Sequence, residues 1–204
     1  MKKFNNYIQE KLVINKSSKV KKIVVHNKAE FRNAVNDIMN KSKDFENVDL
    51  SSIDVSHMVD MTRLLRTYNT IKNLNVTGWN VSQVKSMNSM FPTSLETVDL
   101  SSWDVSEVQT MEGMFLSCQN LKEIGDISNW ETKSLENTSD MFSNCKSIKN
   151  IDISNWIFSK LKKIDRMFTN CVNLESIGNI TKDKLLNLSV YNHDMFLLCK
   201  KLKK

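Results

Sequence analysis

Four cysteines, Cys118, Cys145, Cys171 and Cys199, follow one another at steps of 27, 26 and 28 residues, and three histidines, His26, His57 and His193, complete the supply of soft ligands and imidazole bases. A thiolate beside an imidazole would make a nucleophile, and paired Cys-x-x-Cys groups would hold zinc. Neither arrangement is present. The cysteines occur singly, with no histidine recurring beside them, so their spacing fits no zinc site. His193 lies near Cys199 in sequence, but nothing stands ready to orient such a pair. There is no Gly-x-Ser-x-Gly elbow, no Gly-rich phosphate loop and no His-Glu-x-x-His. The sequence predicts a protein that is not an enzyme, with no catalytic residue, no metal ligands and no cofactor.

A second set of chemically able groups is Asp49, Asn75, Asp99, Asp126, Asp152 and Asn179, each beside short apolar alternations such as Val98-Asp99-Leu100. Alternation about Asp99 fits a short strand with the carboxylate outward. On adjacent parallel strands such residues would form an outward stripe, with like charges about 5 Å apart that repel unless offset. Exposure and Asx-turn bonds to nearby backbone offset it in one reading. In the other, the stripe is a candidate binding surface for basic groups or Ca²⁺.

These residues recur because the chain is a repeat. Trp79, Trp103, Trp130 and Trp156 are spaced by 24, 27 and 26 residues, with Ile53 in the same place one unit earlier. Met90-Phe91, Met114-Phe115, Met141-Phe142, Met167-Phe168 and Met195-Phe196 keep the same register, with Leu64-Leu65 upstream. The cysteines form a third ladder, each three residues after its Phe. Six units begin near Val48, Leu74, Val98, Ile124, Ile151 and Ile177. One unit cannot bury its own apolar face, but neighbours in register can, which makes the Trp, Phe and Cys ladders core. The cysteines are expected reduced and buried. Within a unit the pattern predicts strand, bend, irregular segment, a short helical turn over Thr110 to Cys118, and a second bend.

The pattern Met-Phe-x-x-Cys-x-x-Leu-x-x-Ile-Asp-Ile-Ser-x-Trp resembles the BspA-like leucine-rich-repeat family of bacterial surface proteins. Met141-Phe142, Cys145, Ile148, Ile151, Asp152, Ile153, Ser154 and Trp156 carry it, as do Met114-Phe115, Cys118, Leu121, Ile124, Asp126, Ile127, Ser128 and Trp130 with Gly125 inserted. The resemblance implies an α/β repeat solenoid of the leucine-rich-repeat type: about six stacked units over 48–204, a parallel strand column, and a role in adhesion or protein binding. The expected partner is another protein.

Residues 21–47 do not repeat. Lys22 to His26 reads as a strand, and Phe31, Ala34, Val35, Ile38 and Met39 follow at helical spacing over about 28–41, started by Asn27 and Glu30. This predicts a helical N-terminal cap for the solenoid. Residues 1–20 form a basic leader. Met1 to Leu12 resembles the N-terminal targeting peptides of internal head proteins of large tailed phages, which implies processing at Ile8-Gln9-Glu10 and a head-assembly role as the alternative function. The leader has no apolar core of a secretory signal peptide, so a bacterial cytoplasm or a phage particle is expected rather than an exported surface. The formal charge of +6 belongs to the ends: residues 1–28 carry +7, residues 200–204 carry +4, and the body between carries −5. An acidic body predicts no nucleic-acid partner for the folded part. No apolar run approaches the roughly 18 residues of a membrane span.

Overall fold

The computed structural model describes residues 22–188 and 190–202 of the chain. The basic leader, with Ile8, Gln9 and Glu10, lies outside the described residues.

Strand β1 (Ile23–Val24) pairs in parallel with β3 (Ile53–Asp54), tying the non-repeating segment to the first unit. Helix α1 (Lys28–Ser42) begins where its capping residues require. The Asn27 side chain accepts from the amides of Ala29 and Glu30, both at 3.0 Å, and the Glu30 carboxylate accepts the His26 amide at 2.9 Å. Orphan donors of the first turn are thereby satisfied. Phe31, Ala34, Val35 and Met39 are its buried face. Phe31 meets Trp79 edge-on at 5.7 Å, Lys28 pairs with Asp60, and the Tyr68 hydroxyl reaches the Arg32 carbonyl at 3.5 Å.

Strands β2 (Asn47–Asp49), β4 (Asn73–Asn75) and β5 (Thr97–Val98) form a parallel sheet in the order β2-β4-β5, with Asp49 opposite Asn75 and Leu74 opposite Val98. Single parallel pairings, Thr97 with Glu123 and Asn150 with Ser176, occur further along. A second line of single pairings joins Asp60, Ser86, Thr110, Asn137, Lys163 and Tyr191.

The expected α/β leucine-rich-repeat-like solenoid, with its continuous parallel strand column and helical N-terminal cap, is overturned. Among the described residues most of the chain is turn and irregular backbone. Its strands are two or three residues long in two small parallel sheets, and its helices are α1 and the five-residue α2 (Lys182–Leu186). The physical reason lies in two kinds of interruption. Asp or Asn side chains fold the backbone into Asx turns at the ends of β2, β3, β4 and β5, which removes those amides from any ladder. Arg63, Ser89, Gly113, Asp140, Arg166 and Asp194, at equivalent places in successive units, are left-handed with φ between 50° and 60°. The helical turn expected over Thr110 to Cys118 fails for the same reason: Gly113 and Ser117 sit at φ 60° and 63°, and no α-helix tolerates that.

Pairing between units nevertheless holds them in register. Met111, Gly113, Phe115 and Ser117 donate through alternate amides to the carbonyls of Asn137, Ser139, Met141 and Ser143 at 2.8 to 2.9 Å. Phe91, Phe115, Phe142, Phe168 and Phe196 lie face to face with centroids 4.8, 5.3, 5.7 and 5.6 Å apart, close to the spacing of neighbouring strands. Trp79, Trp103, Trp130 and Trp156 are buried, and stack in two pairs, 79 with 103 and 130 with 156.

Candidate binding surface

The four thiols are buried and free. Each Sγ donates to a carbonyl of the preceding unit: Cys118 to Pro92, Cys145 to Phe115, Cys171 to Phe142 and Cys199 to Phe168, at 2.9 to 3.2 Å. Burial pushes the Cys118 thiol up to about 12 and raises the other three as well. A thiol held neutral in this way is a packing group and a weak donor, with no thiolate for attack or metal binding. His193 Nδ1 lies 3.0 Å from the Asp194 carboxylate, while the Cys199 thiol is engaged with the Phe168 carbonyl. Among the described residues no group of three His, Cys, Asp or Glu side chains could hold a metal ion.

The predicted stripe is distributed as follows. Asp49 is half-buried, and Asn75, Asp99, Asp126, Asp152 and Asn179 are exposed. Asp49, Asn75, Asp99, Asp126 and Asp152 each accept, through Oδ1, the amide two residues on, at 2.8 to 3.0 Å. Asp54, Asn80 and Asp104 repeat the same turn five residues later in their units. The Ser101 hydroxyl and amide hold the Asp99 carboxyl below the usual range, and Ser128 does the same for Asp126. The second turn acts likewise: the Ser106 hydroxyl and amide lower Asp104, and the Ser56 amide lowers Asp54.

Gly125 and Gly178, at φ 77° and 84°, bring the following unit's backbone against Asp99 and Asp152, so closely that a Cβ would stand 2.2 and 2.0 Å from the respective Oδ1. The amides of Asp126 and Asn179 then donate to the Ser101 and Ser154 hydroxyls at 2.7 and 2.6 Å. Glycine is required at both places by the approach as well as by φ. What remains outward is a row of turn tips, each with one carboxylate or amide group facing water.

Other charges pair along the repeat. Glu46 with Lys72, Glu96 with Lys122, and Glu136 with Lys162 form ion pairs at 2.6 to 2.7 Å, each 26 residues apart. A tighter cluster joins Arg166 to Asp140 through two bonds of 3.0 and 2.7 Å and to the buried Asp165 at 3.0 Å, with the Ser139 hydroxyl donating to Asp165 at 2.7 Å. Sequence reasoning missed this cluster. Its signal was legible, since Asp140 and Arg166 both immediately precede Met-Phe and carry opposite charge in consecutive units. A shallow cavity of about 290 Å³ lies at the last unit, lined by Asn150, Glu175, Gly178, Asn179, Thr181 and Leu202 among others. No helix among the described residues is long and apolar enough to cross a membrane.

The family model described as "Mycoplasma protein of unknown function, DUF285" matches residues 10–123, 64–181 and 93–204, overlapping as a repeat must. The chain belongs to this repeat family. Comparison with curated proteins gives no match. Among solved structures, the Toll–Spatzle complex, described as a molecular hub in Drosophila development and innate immunity, is similar with a TM-score of 0.35 and 11% identity over 82% of this chain. The chain spans 31% of that chain's length.

Proposed function

Taking membership of a repeat family as the premise, we propose that this chain is a non-enzymatic module that binds another protein through its row of exposed turn tips. One observation carries the reading. The groups able to do chemistry, the thiols above all, are occupied in joining unit to unit, while the outward turns repeat from unit to unit. A repeated array of this kind suits recognition of an extended or multi-point partner surface. The resemblance to BspA-like repeats supports an adhesion-type role. The acidic body favours a polypeptide with basic groups over nucleic acid.

A photo-crosslinking residue placed at Asn129 or Asn155, both exposed at turn tips, tests the reading in an extract of the source cells. The expected result is a discrete protein adduct that excess unlabelled chain competes away. The triple change Asp99→Asn, Asp126→Asn, Asp152→Asn removes charge while keeping a turn acceptor, as Asn75 does, and should weaken the adduct. The same adducts from a control position at Asn36 on α1, or none from either tip, overturn the proposal.

A further inference from the structure

The non-repeating segment meets the first unit at a junction that the turn-tip reading leaves unexplained. Ile23 of β1 donates to the Ser52 carbonyl at 2.8 Å, and Val25, buried directly after β1, donates to the Asp54 carbonyl at 3.1 Å. His26 follows at once, and His57 stands three residues after Asp54. Their rings lie face to face, with centroids 4.8 Å apart and planes 15° from parallel. Both residues are exposed. Two imidazoles from different parts of the chain thus close the seam that β1 and β3 begin.

The charges around the pair are unequal. On α1, the Glu30 carboxylate lies 3.3 Å from His26 Nδ1, and Lys28 pairs with Asp60 of the first unit at 2.7 Å. The His26 amide holds Glu30 below the usual carboxylate range, so Glu30 stays ionised wherever histidine titrates. In the first unit the acid that feels His57 is Asp54, whose Oδ1 already accepts the Ser56 amide at 3.0 Å. Asp54 also feels Lys22, whose ammonium bonds the Gly78 carbonyl at 2.8 Å. A proton on His26 therefore finds a carboxylate beside it. His57 makes no ion pair among the described residues.

Histidine is the side chain whose charge changes between pH 5 and 8. One charged ring against one neutral ring is a compatible stack, since a cation is attracted to an aromatic face. Two charged rings at this separation repel, even through water, enough to move an equilibrium by about fourfold. We infer that the His26–His57 stack is a pH-sensitive clasp. It holds β1 on the first unit while at most one ring is charged, and loosens β1 when both are. The sign follows from linkage: the open form takes the second proton more readily than the closed form, so falling pH favours opening. The event is local. Phe31, Ala34, Val35 and Met39 keep α1 in place, and what is uncovered is the β3 edge with the Ser52 and Asp54 carbonyls.

Amide exchange of the whole chain, corrected for intrinsic rates, reads the clasp at Ile23 and Val25. Between about pH 7.5 and pH 5 these two should accelerate about fourfold. Leu50, whose amide donates to Asn75 at 2.8 Å, is the reference and should not change. His57→Phe keeps a ring to stack on and cannot be charged, so it should abolish the acceleration. Asp60→Asn breaks the Lys28 pair instead and should leave the acceleration in place. Added salt should reduce it, because both rings are exposed. No acceleration in the parent chain overturns the inference, as does one that persists in His57→Phe. Equal acceleration at Leu50 overturns it too, since the units would then loosen together. So does an acceleration that Asp60→Asn abolishes, which would assign the effect to the ion pair.

Discussion

Phe142 and Phe196 occupy the same place in their units and differ in what surrounds them. Phe142 is fully buried, with Phe115 and Phe168 on either side at 5.3 and 5.7 Å. Among the described residues Phe196 stacks on Phe168 alone, at 5.6 Å, with the Lys182 ammonium 5.9 Å from its centroid, and is partly buried. The lesson is that a residue's contribution here is set by neighbours on both sides and not by the unit that contains it, as nearest-neighbour repeat energetics require. Phe142→Ala removes contacts on both sides and should cost about 3–5 kcal/mol in urea unfolding. Phe196→Ala should cost about 1–2 kcal/mol, since far less area leaves water at that site. Equal losses at the two positions would break the comparison.

The glycines sharpen it. Gly125 and Gly78 both have positive φ, 77° and 75°. A Cβ at Gly78 would meet nothing nearer than Lys22 Nζ at 3.6 Å, whereas one at Gly125 would fall 2.2 Å from Asp99 Oδ1 and 2.5 Å from Ser101 Oγ. Gly78→Ala carries only the backbone cost of the left-handed conformation, about 1–2 kcal/mol. Gly125→Ala adds displacement of the neighbouring unit and should cost roughly 2–4 kcal/mol. A difference under a few tenths of a kcal/mol would mean that the units are not held as closely as the structure places them.

A subtler contrast separates the tryptophans. The Nε1 of Trp79, Trp130 and Trp156 donates to Leu50, Leu100 and Ile127 of the preceding unit, at 2.9, 3.2 and 2.9 Å. Trp103 is equally buried, and its Nε1 has no partner among the described residues. The unit before it is short, with a step of 24 residues where the others have 26 or 27. Trp130→Phe loses packing and a buried hydrogen bond; Trp103→Phe loses packing and relieves an unsatisfied donor. Trp130→Phe should therefore be the more damaging by about 1 kcal/mol. The reverse order would remove the indole bonds from the account of what joins the units.

These contrasts show what was legible in the sequence. The repeat, the buried Trp, Phe and Cys ladders, α1 and its start at Asn27 were all readable, because periodic apolar spacing and capping residues act locally. The strand column and helical turns were not. Val98-Asp99-Leu100 has the alternation of a strand, yet Asp99 bonds the Ser101 amide and ends the strand there. Thr110 to Cys118 has helical spacing, and Gly113 and Ser117 turn left-handed within it. Both failures arise because apolar spacing records which residues face inward and not which backbone route delivers them. The close approach at Gly125 and Gly178 had no signal in the sequence, because it appears only once neighbouring units are placed together.

The smallest effect divides two adjacent units that use the same turns with different chemistry. The unit beginning near Leu74 makes its two turns with Asn75 and Asn80, which accept from Thr77 and Ser82. The next makes them with Asp99 and Asp104, which accept from Ser101 and Ser106. Bonds from serine hydroxyl and amide lower both carboxyls in the folded chain. The turn stabilisation from Asp99 and Asp104 is thus complete above the unfolded carboxyl value of about 3.9. It is lost as pH falls through the lower folded values. Asn carries no such dependence. Amide exchange at Ser101 and Ser106, corrected for intrinsic rates, should accelerate relative to Thr77 and Ser82 between pH 5 and pH 2, as charged acceptors become neutral and weaker. Asp99→Asn should remove the acceleration at Ser101 and leave that at Ser106. If all four amides accelerate together, acid loosens the units as a whole, and the turns are not the separable local devices that their hydrogen bonds make them.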